Sequence, residues 1–211
     1  MSDGMQSGMA RRLRNQGVPL GEVFSFISGL YFRGKLAYAE KFAEVAGDVR
    51  AAYVITASAG LIPCELERLR EISAGEVDRA NEKYRGPLDR DSAPLSELVG
   101  TDCQVVLLGT IASPKYVQPL LESFGEQLFF PAEFVGRGDM SHGGLMLRCV
   151  SAGVAYIHAF GPSGSPWLQA PKAGPSASGG LSVFAASWSA AQLLIDMNAH
   201  ERETEILDGH S

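Results

Sequence analysis

Three short apolar runs constrain this chain most: AAYVITA at residues 51–57, CQVVLLG at 103–109, and EQLFFPAEF at 126–134. Each has the length of a strand and is rich in β-branched, aliphatic or aromatic residues. Continuous apolarity of that kind marks strands covered on both faces, as in a parallel sheet. Between the second and third runs, TIASPKYVQPLLESFG reads as a loop and then a helix. Thr110 and Ser113 suit capping, Pro114 suits the first turn, and Val117, Leu120 and Leu121 make the buried stripe. Strand, helix and strand in that order make a βαβ unit. The expected fold is therefore α/β: three layers, with a mainly parallel sheet and flanking helices.

A chain of 211 residues, 45% hydrophobic and 20% charged, has ample material for one large core. Its net charge of −6 supplies no global field toward nucleic acid or an anionic membrane, so a polyanion would need a local patch. Cys64, Cys103 and Cys149 are dispersed and odd in number, which argues against a disulfide framework and fits a reducing cytoplasm. No His, Cys or Asp cluster has ligand spacing, so neither a metal nor another cofactor is expected. No stretch of about 18 apolar residues is present to span a membrane. The arginines near the N-terminus have no apolar segment behind them, so no secretory signal is read there.

Residues 1–17 read as a flexible lead-in and 18–160 as the α/β domain. Within it, residues 30–45 carry Leu36, Ala39, Phe42 and Ala43 at helical spacing, with Gly47 as a stop. Leu66, Leu69 and Ile72 suggest a short amphipathic helix, and RGPLDRDSAP, at 85–94, reads as a loop. MLRCV (146–150) and VAYIHAF (154–160) read as two strands joined by a hairpin at 151–153. A Pro/Gly/Ser/Ala-rich linker is expected over 161–180. In the 181–211 tail, Phe184, Trp188, Ala191, Leu194 and Ile195 recur at helical spacing over 182–197. Such a helix must dock in cis, on a partner, or across a homodimer.

Chemistry-bearing residues gather in four stretches. FVGRGDMSHGGLMLR, at 134–148, sets Arg137, Asp139, Ser141, His142 and Arg148 among Gly136, Gly138, Gly143 and Gly144. Glycines at that density let a ligand approach the backbone, and amides leading into a helix suit an anion. His142 titrates near neutrality and is the acid–base candidate. Asp139 could steady a sugar cation or activate water. SGLYFRGK, at 28–35, adds Tyr31, Arg33 and Lys35 as phosphate or carboxylate holders. Ser58 and Gly60 follow the first strand. Thr110, Ser113, Lys115 and Tyr116 follow the second, where α/β sheets bind ligands. Tyr84 and Arg85 are lesser candidates, and His158 reads as strand packing. The bland readings are core packing for the tyrosines, solvation for the cations, capping for the hydroxyls and loop bonding for Asp139.

The blocks SGLYFRGKLAYAEKF, VITASAGLIP and VVLLG through LMLR resemble an uncharacterised bacterial α/β family over about residues 18–150. More distantly, their order is similar to the uracil-DNA-glycosylase-like domains of archaeosine-type tRNA modification proteins. The resemblance implies a nucleobase, nucleotide or nucleic-acid ligand. The leading expectation is thus an enzyme acting on a nucleotide, nucleoside or nucleic-acid base by N-glycosidic cleavage or exchange. In that scheme Arg33, Lys35, Lys115 and Arg137 hold phosphate, and Tyr31 or Tyr116 stacks on the base. Two alternatives stand beside it: a non-catalytic module binding a small anionic metabolite, and an assembly subunit docking through its C-terminal helix.

Overall fold

The computed structural model describes residues 3–44, 49–73, 75–161 and 191–196. Six helices are seen among them: α1 (Asp3–Asn15), α2 (Leu20–Ile27), α3 (Leu30–Phe42), α4 (Glu82–Val99), α5 (Pro114–Phe124) and α6 (Asp139–Ala152). The six strands are β1 (Ala52–Ile55), β2 (Leu61–Pro63), β3 (Gln104–Leu107), β4 (Leu128–Pro131), β5 (Ile157–Ala159) and β6 (Ala191–Asp196). They form one sheet in the order β2-β1-β6-β3-β4-β5. The pairs β1–β6, β6–β3 and β3–β4 are parallel, whereas β2 and β5 close the two edges antiparallel. The protein is α/β.

β1, β3 and β4 lie inside the three apolar runs, and Val54, Val105, Val106, Leu107, Leu128 and Phe130 are buried in one core. Helices α3 and α6 pack on each other, and so do α4 and α5. Among the described residues no helix is long and apolar enough to cross a membrane.

Several local expectations give way to tertiary packing. Residues 3–15 of the expected lead-in are helical, and Arg12 at its end pairs with Glu22 of α2. The helix expected around Leu66, Leu69 and Ile72 shrinks to a single 3-10 turn, Leu69–Glu71. RGPLDRDSAP is not a loop but the middle of α4, which runs through Pro87 and Pro94. Each proline forfeits a helical hydrogen bond. Tyr84, Leu88, Ser92 and Leu95, buried along one stripe, and the Asn81 cap, whose side chain accepts from the Lys83 amide, offset that loss.

MLRCV is likewise helical, as part of α6. His142, Leu145, Met146 and Cys149 recur three and four residues apart and are all buried. What was read as a hairpin at 151–153 is the end of this helix. Gly153, left-handed at φ 68° and ψ 23°, donates back to the Cys149 and Val150 carbonyls. VAYIHAF does contain a strand, β5, on the sheet edge.

The largest correction concerns the tail. Residues 191–196, expected within a docking helix, form β6, which lies between β1 and β3 in the middle of the sheet. A compact apolar run such as AQLLID satisfies either periodicity, and only the open position between two parallel strands selects the strand. Phe184, Trp188 and the rest of the expected helix lie outside the described residues, as do Gly47 and all of the 161–180 linker but Gly161.

Candidate functional site

The glycine-rich stretch turns out to be a helix crossing. A Cβ on Gly34 of α3 would lie 2.1 Å from the Gly143 carbonyl oxygen, and one on Gly143 would lie 2.3 Å from the Leu30 oxygen. Backbone therefore meets backbone where α3 passes α6. Of the four glycines in FVGRGDMSHGG, only Gly136 adopts positive φ, at 68°. Gly143 and Gly144 are helical residues, and at the first of them smallness is required for packing.

That crossing buries polar groups chosen on sequence for ligand contact. Lys35 is fully buried, with its ammonium 3.6 Å from the centroid of the buried Tyr31 ring, one helical turn away. His142 is also fully buried, stacked on Phe134 at 3.7 Å and 4°. Neither the Lys35 cation nor the His142 imidazole reaches solvent, so direct contact with an external phosphate or acid–base work on a substrate is closed to them here. Tyr116 is buried as well, edge-on to Tyr84 at 6.5 Å. The faces of Tyr31 and Tyr116 are taken up by protein, which leaves no platform for a base on either.

Other members of the expected site lie at the surface. Arg33, Arg137, Gly138, Ser141 and Arg148 are exposed. The Ser141 hydroxyl donates to the Gly138 carbonyl at 2.7 Å, and its amide donates to the same oxygen, so this serine shapes the start of α6. Asp139 is the first residue of that helix. Farther along, Glu133 faces Tyr38 and Cys149; one of its carboxylate oxygens is buried without a hydrogen-bond partner among the described residues. Burial first, then Glu133, pushes the Cys149 thiol up to about 11 and raises the Tyr38 phenol.

At the carboxyl end of β1 the chain turns sharply into β2. Thr56 donates its hydroxyl to the Gly60 carbonyl and accepts the Ala59 amide. Gly60, at φ 75°, is wedged against α4: a Cβ there would lie 2.2 Å from Asp91 Oδ2 and 2.5 Å from the Pro87 oxygen. Ser58 donates to the Ser73 carbonyl at 3.1 Å and accepts the Ser73 amide at 2.9 Å. Gly60 thus serves the turn, while Ser58 helps to wall an open cleft of about 710 Å³.

The other polar walls of that cleft are Ser73, Glu76, Asp78, Asn81 and Lys83. Asp78 accepts the Ala80 amide at 2.8 Å, and Asn81 donates to the Glu76 carbonyl at 2.8 Å. None of these residues was singled out on sequence; they sit in a charged stretch from which only Tyr84 and Arg85 were taken as candidates. Their legible signal was Asp78 and Asn81 just ahead of a helix, a pairing that orders a loop. Thr110, Ser113, Lys115 and Tyr116 do not line the cleft. Thr110 is buried after β3, and Ser113 stands at the start of α5 with no side-chain cap among the described residues. The Lys115 carbonyl accepts the Tyr84 hydroxyl at 3.1 Å, and its ammonium lies 5.1 Å from the Tyr116 ring. Tyr84 and Arg85 are structural too, the latter pairing with Asp89 and Glu122. His158 sits half-buried on the edge strand, 6.0 Å from Phe130.

Asp196, unnoticed on sequence, ends the central strand β6 in register with Ile55. Among the described residues no three His, Cys, Asp or Glu side chains gather as a metal cluster, and the three cysteines are buried and form no disulfide. No protein-family model, no curated protein and no solved structure matches the chain.

Proposed function

We propose that this protein binds a nucleoside or free nucleobase in the cleft at the carboxyl end of β1. The observation that carries the reading is the cleft itself. It lies where parallel α/β sheets hold ligands, has a volume of about 710 Å³, and is walled by hydroxyl, amide, carboxylate and ammonium groups. Sugar hydroxyls can donate and accept there, and exocyclic amines can donate. Glu76 and Asp78 against Lys83 leave the walls with one net negative charge, which favours an uncharged ligand over a phosphorylated one. The same balance weighs against a small anionic metabolite.

The reaction that accompanies such a ligand is cleavage or exchange of its N-glycosidic bond. In this cleft Glu76 takes the part first given to Asp139, steadying positive charge on the sugar or orienting water, since Asp78 is engaged by its own loop. The resemblance to uracil-DNA-glycosylase-like domains points to the same ligand class. This reading includes a three-layer arrangement, in which the pairs α3/α6 and α4/α5 cover opposite faces of the sheet, and a reducing, cytoplasmic setting for the unbridged cysteines.

Calorimetric titration of the full chain with nucleosides, their bases and their 5′-monophosphates tests the proposal, with chromatography of the reaction mixture for released base. Nucleosides should bind more tightly than their monophosphates. Glu76→Gln should abolish base release while retaining most of the binding. Absence of binding by every nucleoside and base, or preference for the monophosphate, overturns it.

A further inference from the structure

We infer that a second cleft, at the opposite end of β1, takes a small organic cation: an ammonium or guanidinium group carried on an apolar stem. The cleft measures about 500 Å³ and lies among α2, α3 and the strands β1 and β2. Leu36 and Ala39 of α3, Ala52 of β1 and Cys64 supply hydrocarbon and sulfur to its walls. Three carboxylates, Glu22, Glu40 and Glu65, also line it, and no lysine or arginine among the described residues does.

Two of those carboxylates already hold guanidinium groups of this chain, Arg12 on Glu22 and Arg50 on Glu65, the latter at 3.3 Å. Glu40 makes no ion pair among the described residues. The Cys64 thiol lines the same cleft, and burial first, then Glu65 and Glu40, push it up to about 12. Ser25 adds a buried hydroxyl oxygen with no hydrogen-bond partner among the described residues.

A neutral apolar molecule would cover the hydrocarbon but leave Glu40 unanswered, and an anion would be repelled. A cation on an apolar stem satisfies both, placing its stem against Leu36 and Ala39 and its charge at Glu40. This site is independent of the nucleoside cleft, because one lies at each end of β1.

The test is calorimetric titration of the full chain with phenethylammonium, alongside the neutral isostere 2-phenylethanol and the anion phenylacetate. Phenethylammonium should bind, with a preference over the alcohol of about fivefold that added salt erodes. Glu40→Gln, at an exposed position that leaves the fold intact, should cancel the preference without changing nucleoside binding. Ser25→Ala should weaken phenethylammonium, whose N–H groups lose an acceptor, and leave phenylacetate unbound. No binding of phenethylammonium, equal binding of cation and alcohol, or a preference that survives Glu40→Gln overturns the proposal.

Discussion

Gly143 and Gly144 are neighbours in α6, yet alanine should have opposite effects at the two positions. In an unobstructed helix, glycine to alanine gains about 1 kcal/mol from the lower entropy of the unfolded chain and better helix propensity. At Gly144 the nearest atom to a new Cβ is Arg148 Nη1, at 3.9 Å, the end of a flexible side chain, so the gain is free to appear. At Gly143 the new Cβ meets the Leu30 oxygen at 2.3 Å, the Tyr31 Cα at 2.7 Å and the Leu30 carbonyl carbon at 2.8 Å. All three are backbone atoms of the facing segment, so α3 and α6 must separate. Overpacking of that kind costs about 3 kcal/mol, leaving a net loss of about 2 kcal/mol after the propensity gain. For a chain of this size 1 kcal/mol moves the melting temperature by about 2–4 °C. Scanning calorimetry should therefore show Gly143→Ala melting about 4–8 °C below wild type and Gly144→Ala about 2–4 °C above it. If Gly143→Ala melts at or above the wild-type temperature, the helices do not cross there, and the glycines revert to a ligand-accommodating loop.

Three further outcomes follow from the same structure. Truncation after residue 190 removes β6, which makes four residue pairs with β1 and four with β3. With net hydrogen-bond contributions near 1 kcal/mol each, the loss rivals a whole domain's stability, so the truncated chain should show no cooperative unfolding by circular dichroism. A truncated protein that still melts cooperatively would remove β6 from the sheet. The buried Cys64 and Cys149 thiols, raised to about 12 and about 11 from the usual 9.0, should resist alkylation at pH 8, where roughly a thousandth or less of either is ionised. Because folding raises these values, their contribution is intact below pH 9 and is lost as pH climbs toward them. Rapid native-state labelling would contradict this burial. Glu22, held below the usual 4.5 by its hydrogen bond from Arg12, contributes to anchoring α1 above that pH and ceases to do so as pH falls through its lower folded value. Amide exchange along α1 should accelerate on acidification or on Arg12→Ala; the pair is exposed, so the effect should be small and salt-sensitive.

Some of the candidate site was legible before folding and some was not. Ser58 was placed beside a cleft from its position after a buried strand. Tyr31 and Lys35 were expected to hold a ligand and His142 to exchange protons with it, but all three are buried at or beside a helix crossing and form no solvent-facing cradle. Glu76, Asp78 and Asn81 were overlooked because short polar residues in a charged stretch look alike whether they face bulk water or wall a cleft.

The amino-acid sequence by itself determined that the chain is α/β and where β1, β3 and β4 lie, because continuous apolar runs of strand length can be satisfied only by burial on both faces. Tertiary structure alone decided that α4 continues through two prolines, that 146–150 is helical, and that 191–196 fills the centre of the sheet. A short apolar run is compatible with either periodicity, and a glycine is compatible with either a ligand or a neighbouring backbone. Which holds depends on the element packed against it, contributed by residues far away along the chain.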